Sequence, residues 1–254
     1  MPHPTFAEHL FYLSQSALQF VIVFLIFRRK LYSSFPAFTA YLIVVSLITI
    51  AQDSELALGV SLPTYMNSFY CFEWCSIGLE FWVIYEVFKT VLEPYEALRR
   101  SWRFIFLISV VTLVVVNLLW IAYEPKIRAW EMLNVLDWVR SVRALQIGLL
   151  VVVFALSRLM GLSWRSYCLG VALGLGIYVA TEIVTLEVRR HDNRWAVWEL
   201  LNVIRSVSYA VSIVIWAWYF FQPTEVAKPV YTVPNNNIEK WNRALQLMLA
   251  RRIG

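Results

Sequence analysis

The chain has 254 residues, of which 60% are hydrophobic and only 15% charged, with a mean hydropathy of +0.62. A soluble domain carries roughly a quarter charged residues and about half apolar ones. The balance therefore excludes an ordinary globular domain, a disordered tail and a disulfide scaffold. At about 1.5 Å of rise per residue, a bilayer core of about 30 Å takes roughly 20 apolar residues per helical crossing.

Seven such stretches occur in chain order, at approximately 8–27, 35–52, 65–88, 104–123, 132–157, 166–187 and 197–221. Their long unbroken apolar runs fit helices, because a lipid-exposed backbone must satisfy its own hydrogen bonds. A β-barrel would show shorter, alternating segments. The expected fold class is therefore all-α, a polytopic seven-transmembrane-helix bundle over residues 1–221.

Lys and Arg set the expected orientation. With the N-terminus outside, fourteen of them fall in inner loops and the tail, five in outer loops and three inside spans. The bias predicts an outside N-terminus and a cytoplasmic C-terminus. The net charge of +5 is then mostly a signal of topology, and nucleic acid is not an expected partner.

The first stretch carries Ser14, Gln15, Ser16 and Gln19 and lacks a basic leader, so it reads as a retained helix. A basic turn, Arg28-Arg29-Lys30, precedes Pro36, which suits the first position of the second helix. Cys71 and Cys75 share a face of the third helix, and Cys168 lies in the sixth. No second pair completes a metal site, so all three read as small apolar packers. Glu93 and Pro94 end the third helix, and Pro125 follows the fourth.

Two outer helix starts echo each other: Trp130-Glu131-Met132-Leu133-Asn134-Val135 and Trp198-Glu199-Leu200-Leu201-Asn202-Val203, each followed by Arg-Ser-Val. The echo reads either as a weak internal repeat or as the interfacial Trp common at helix ends. In the sixth helix Gly170 and Gly174 have the small-xxx-small spacing that brings helices close, with Gly176 beyond them. Residues 222–237 have a Pro- and Asn-rich linker composition. Residues 238–254 form a basic amphipathic helix, with Ile238, Trp241, Leu245, Met248 and Leu249 at helical spacing. Such a tail suits an anionic inner leaflet or a cytoplasmic protein partner.

The charges within the spans carry the functional signal. Each costs about 2.5–3.5 kcal/mol at a bilayer centre, even on the lenient scale, unless it meets a partner or water. They are Glu73, Glu80, Asp137, Arg140, Arg143, Glu182, Glu199 and Arg205. On the third helix Glu73, Ser76 and Glu80 share a face. On the fifth, Asn134, Asp137, Arg140, Arg143 and Gln146 form a slowly winding stripe, along which Asp137 and Arg140 can pair. Tyr178, Glu182 and Thr185 lie together on the sixth, as do Asn202, Arg205, Tyr209 and Ser212 on the seventh. Glu73, Asp137, Arg140, Glu182, Glu199 and Arg205 all fall in the expected outer half.

Two readings follow. The first is a ligand pocket, in which Arg140, Arg143 and Arg205 clamp a carboxylate or phosphate. Glu73 and Glu80, near Phe69, Tyr70, Trp74 and Phe81, would instead hold a cationic head group. The second reading is an ion-pair network that only fastens the bundle. No Lys lies deep in a span, which excludes retinal in its usual linkage. His3, His9 and His191 read as solvated outer residues, and neither a metal nor a cofactor is expected.

The runs Arg140-Ser141-Val142-Arg143 through Gln146, Gly148, Leu149 and Leu150, with Ser163-Trp164-Arg165-Ser166-Tyr167 leading to Gly170, Gly174 and Gly176, carry a resemblance. So does the Phe35-Pro36-x-Phe38 entry to the second helix. The chain is similar to a group of uncharacterised bacterial seven-helix membrane proteins. That resemblance implies a multi-pass protein of the bacterial inner membrane and transfers no activity and no functional residue. More coarsely, the topology resembles the seven-helix input modules of bacterial sensors, an analogy of architecture that does not carry function.

The first expectation is a receptor-like or sensory protein that takes a small-molecule ligand from the outer side. A small-solute or ion transporter is favoured instead if the Trp-Glu echo is a structural repeat. An intramembrane lipid-modifying enzyme is favoured if Glu73 and Glu80 meet a basic group beside a lateral opening.

Overall fold

The computed structural model describes residues 6–92, 102–123, 135–159, 166–191 and 194–222. Among them the chain forms seven α-helices: α1 (Phe6–Arg28), α2 (Pro36–Ala57), α3 (Leu62–Leu92), α4 (Trp102–Tyr123), α5 (Val135–Leu159), α6 (Tyr167–His191) and α7 (Trp195–Phe221). Each overlaps one apolar stretch of the sequence. The expected tail helix and all of the linker beyond Gln222 lie outside the described residues. So do residues 130–134 of the first echo copy and 163–165 before α6.

Among the described residues four helices are long and apolar enough to cross a membrane: Pro36–Glu55, Val139–Arg158, Tyr167–Arg189 and Ala196–Phe221. Among the same residues α1 adds the shorter apolar run Leu13–Arg28 and α4 the run Phe106–Val115, while Glu73, Glu80 and Glu86 interrupt α3. Outward-facing Phe24, Leu107, Val151, Val184, Val214 and Trp218 are exposed, as lipid-facing side chains would be. The chain is a helical membrane protein.

The helices alternate in direction. At one end, the Arg29 end, Arg29 follows α1 and donates to Phe221 O (3.1 Å) and Gln222 O (2.7 Å) at the close of α7. The same guanidinium donates to the Tyr167 hydroxyl at the start of α6, at 2.9 Å. Phe106, early in α4, packs edge-on against Tyr85 and Phe88, late in α3. At the opposite end, the Glu55 end, Ser68 of α3 donates to Glu55 of α2 at 2.6 Å. Arg140, early in α5, pairs there with Glu187, late in α6, at 3.0 Å.

Turn chemistry explains two of the reversals. After α1 the chain turns through Lys30 (φ 56°) and one 3₁₀ turn, Leu31–Ser33. After α2 it turns through Gly59 (φ 65°), with Leu58 N–H bonded to Ser54 O and Val60 N–H bonded to Glu55 O. The bond from Val60 back to Glu55 and the left-handed glycine are those of a Schellman ending, which caps the last carbonyls of a helix.

The start of α2 is capped from another helix. A helix leaves its first N–H groups without partners. Pro36 has no N–H to satisfy, and the carboxylate of Glu86 on α3 accepts the next two, Ala37 N–H at 2.9 Å and Phe38 N–H at 3.0 Å. Around this cap the Arg29 end is filled by aromatic rings. Phe38 lies 5.3 Å from Trp216 and 5.6 Å from Phe220, and Phe220 lies 5.0 Å from Tyr167. Phe35 and Tyr41 close the same group.

Gly170 and Gly174 perform the packing role that their spacing predicts. A β-carbon at Gly170 would collide with the Tyr219 ring, and one at Gly174 with the Trp216 indole. That contact also lets Trp216 Nε1 donate to Val171 O at 3.2 Å and Ser212 Oγ donate to Gly174 O at 2.7 Å. Gly176 is different: its β-carbon would meet Phe154 at 3.7 Å, an ordinary contact.

Two consequences are measurable by unfolding in detergent. Gly174→Ala should destabilise the bundle by about 1–3 kcal/mol, the usual cost of overpacking, while Gly176→Ala leaves the midpoint nearly unchanged. Glu86→Leu should cost about 1–3 kcal/mol per N–H group stranded at the start of α2. Glu86→Gln, which retains one carbonyl acceptor, should lose less.

Candidate functional site: a buried charge cluster

The stripes on α3, α5, α6 and α7 meet inside the bundle. Arg143 of α5 has a side chain with no solvent exposure and lies at the centre. Its Nη1 contacts Glu80 Oε2 and donates to Gln146 Oε1 at 2.9 Å. Its Nη2 donates to Glu73 Oε1 at 3.1 Å. Gln146 Nε2 completes the ring by donating to Glu80 Oε2 at 2.9 Å. The three-residue step from Arg143 to Gln146 places both side chains on one face of α5 for this purpose.

A second guanidinium shares the same carboxylates. Arg205 of α7 donates from Nη2 to Glu73 Oε2 at 3.0 Å, and its Nε contacts Glu182 Oε1. It also donates to the Tyr178 hydroxyl at 3.4 Å. Tyr178 presents its ring to Arg143, whose guanidinium carbon stands 5.5 Å from the ring centre, within cation–π range. Glu73 therefore bridges the two arginines, one oxygen to each.

The pairing is close but incomplete. Three carboxylates, Glu73, Glu80 and Glu182, face two guanidinium groups in direct contact. Arg143 Nε is buried without a hydrogen-bond acceptor among the described residues, and Glu182 Oε2 stands 3.9 Å away, beyond hydrogen-bond range. Exposure is uneven across the cluster, and Glu182, in contact with Arg205, keeps only 4%. The Arg205 side chain is 25% exposed and that of Glu73 14%, whereas Glu80 retains 1%.

A neutral polar chain continues toward α1 and α2. Gln19 Nε2 donates to the Tyr209 hydroxyl at 2.6 Å, and Ser46 Oγ donates to Gln19 Oε1. Tyr209 lies 5.1 Å from Tyr178, ring centre to ring centre. Gln15, one turn before Gln19, donates to Ser206 O at 3.3 Å. The polar residues of α1 thus hold α1 to α2 and α7 beside the charges.

Of the eight charged residues that the sequence singles out, five converge: Glu73, Glu80, Arg143, Glu182 and Arg205. Arg140 lies apart from them, paired with Glu187. Glu199 is exposed near the start of α7. Asp137 is on α5, and its side chain lies outside the described residues, so its expected pairing with Arg140 does as well. The cluster also takes in Gln146 and Tyr178, already visible as stripe residues. Sequence reasoning missed Glu187, Gln19 and Ser46 as partners. A buried amide opposite a serine on another helix has no spacing signature.

Cys71 and Cys75 are exposed on α3, unlike buried Cys168, so only the last matches the expected packing role. Among the described residues no group of His, Cys, Asp and Glu is arranged to hold a metal ion. No family model, curated protein or solved structure matches the chain.

Removing one member of a buried ion pair strands the other, at a cost of about 3–5 kcal/mol. Arg143→Met should therefore be severely destabilising, and adding Glu80→Gln to it should recover part of the loss. A double-mutant cycle in detergent unfolding checks this through a coupling energy of about 0.5–3 kcal/mol between the two positions.

Proposed function

We propose that the protein is a receptor-like or sensory membrane protein in which all seven helices span the bilayer. Its N-terminus is outside and its C-terminus faces the cytoplasm of a bacterial cell, with the bundle in the inner membrane. The alternation of the helices supports this topology. It gathers Arg28, Arg29, Lys30, Lys89, Arg103 and Arg158 toward the Arg29 end, as a cytoplasmic face requires.

One observation carries the functional reading: the two ends of the bundle differ in kind. Toward the Glu55 end the interior is charged, and Arg205 and Glu73 keep part of their surface exposed. Toward the Arg29 end the interior is a plug of Phe35, Phe38, Tyr41, Trp216 and Phe220, all buried. A polar site open on one side and closed by packed rings on the other suits a bundle that binds a small ligand and reports it. Binding repacks charges that α3, α5, α6 and α7 share. The change reaches the cytoplasmic side along α7, whose end Arg29 holds. The basic tail beyond would engage the inner leaflet or a cytoplasmic partner.

The test is a thermal-shift panel of small anions, amines, lipid head groups and divalent metals on the purified protein. One class should raise the melting midpoint by several degrees, since a ligand of the native state stabilises it, and Arg205→Ala should abolish the rise. The same compound should not be taken up by vesicles containing the protein. Uptake would replace the receptor reading with the transporter. No response from any class would leave the cluster as a fastening of the bundle.

A further inference from the structure

Above the charge cluster, toward the Glu55 end, the facing surfaces of α6 and α7 carry a second group of residues. Arg189 follows Glu182 by seven residues and Trp198 precedes Arg205 by seven, in each case about two turns along the same helix face. The Glu182–Arg205 pair therefore has Arg189 and Trp198 directly above it. The geometry agrees: the Arg189 guanidinium carbon lies 5.1 Å from the centre of the Trp198 ring, and Arg189 Nη2 donates to Asn202 Oδ1. Arg189 is also within electrostatic range of Arg205 and, more weakly, of Glu182 and Glu73.

Two donors in this stack have no acceptor among the described residues. Arg189 Nε and Trp198 Nε1 are both buried and without a hydrogen-bond partner among the described residues. Arg189 makes no ion pair there either. Buried donors are nearly always satisfied, and an orphan calls for an explanation such as a missing ion. An indole N–H only donates, and so does a guanidinium. What both lack is an acceptor, and beside a second arginine the fitting acceptor is an anion.

We infer that Arg189 and Trp198 form the entry subsite for an oxyanion group, a carboxylate or a phosphate, with Arg205 as the next cation inward. This deepens the receptor reading above and rests on it, by assigning the ligand its chemical class. Among the described residues Arg189 is held in contact by the stack and by Asn202, so rotation of its terminal torsions opens both N–H groups to the ligand. The oxyanion then accepts from Arg189 Nε and Trp198 Nε1. Any cationic part of the ligand is directed inward, toward Glu73 and the surplus carboxylate of the cluster. The oxyanion can belong to a soluble acid or to a lipid head group, since both present the same oxygens.

The test measures melting midpoints in neutral detergent with sodium succinate, sodium phosphate, short-chain phosphatidylglycerol or short-chain phosphatidylcholine. Sodium chloride at matched ionic strength and a simple amine complete the set. Succinate or phosphate should stabilise the wild type saturably, and Trp198→Phe and Arg189→Gln should each weaken the half-saturating concentration at least tenfold. Trp198→Phe keeps an aromatic ring for the stack and removes only the donor, which covers the case in which Arg189→Gln folds poorly. Arg158→Gln, an exposed charge at the Arg29 end, should bind as the wild type does. Stabilisation by phosphatidylglycerol or phosphatidylcholine, but by neither free anion, would assign the oxyanion to a lipid.

An anion effect unchanged in both variants would overturn the subsite. Stabilisation by the amine alone, lost in Glu73→Gln, would overturn the oxyanion while sustaining the receptor reading. Silence from every compound would remove both.

Discussion

The structure depends on one constraint: a guanidinium with no access to water must be surrounded by acceptors. Arg143 meets it at both terminal nitrogens with Glu80, Glu73 and Gln146, drawn from α3 and from its own helix, and leaves Nε without an acceptor among the described residues. Removing such a charge from water costs several kcal/mol even after relaxation, so the partners must be in place whenever the bundle is formed. The helices that carry charges thus have little freedom in register. Sliding α3 by one turn would move Glu80 about 5.4 Å from Arg143, and Glu73 could no longer reach both arginines. Buried ion pairs are weak sources of stability compared with well-packed apolar groups. Their contribution here is to select one arrangement among those that apolar helices would tolerate.

The other half of the bundle reaches the same end with different chemistry. Rings at the Arg29 end interlock edge-to-face and stacked, which fixes their mutual orientation as well as filling space. Gly170 and Gly174 permit this by letting α6 approach Tyr219 and Trp216. In a lipid surrounding, burying apolar groups gives little reason for helices to associate, so close packing and hydrogen bonds between helices carry the association. Trp216 does both, packing on Gly174 and donating to Val171 O.

Much of this was legible in the sequence, and the illegible part has a common cause. Apolar length located each of the described α-helices, and charges within the apolar stretches pointed to Glu73, Glu80, Arg143, Glu182 and Arg205. Those signals are local or rest on residues that are costly wherever they sit. Glycine spacing pointed to α6 packing for the same reason. By contrast, Glu86 in sequence is one more acid near a helix end, and only the fold brings it to the start of α2. Gln19 and Ser46 are ordinary polar residues until their helices pair. Arg189 counted only as a loop charge, because nothing in its neighbourhood of the chain announces Trp198. Features made by two helices together leave no period in either one.

The two chemistries also divide the molecule by how it can move. Packed rings have few alternative arrangements, because each shift opens a void or forces a collision. Ion pairs that share carboxylates have several. Glu73 contacts both Arg143 and Arg205, and Glu182 reaches both as well. An anion that drew Arg205 outward would free one oxygen of Glu73 and one of Glu182, and Arg143, with Nε already lacking an acceptor, could take them up. Charge compensation would be exchanged within the cluster while the bundle stayed closed. A site built this way can exchange its charge partners while the ring packing of α6 against α7 keeps its arrangement.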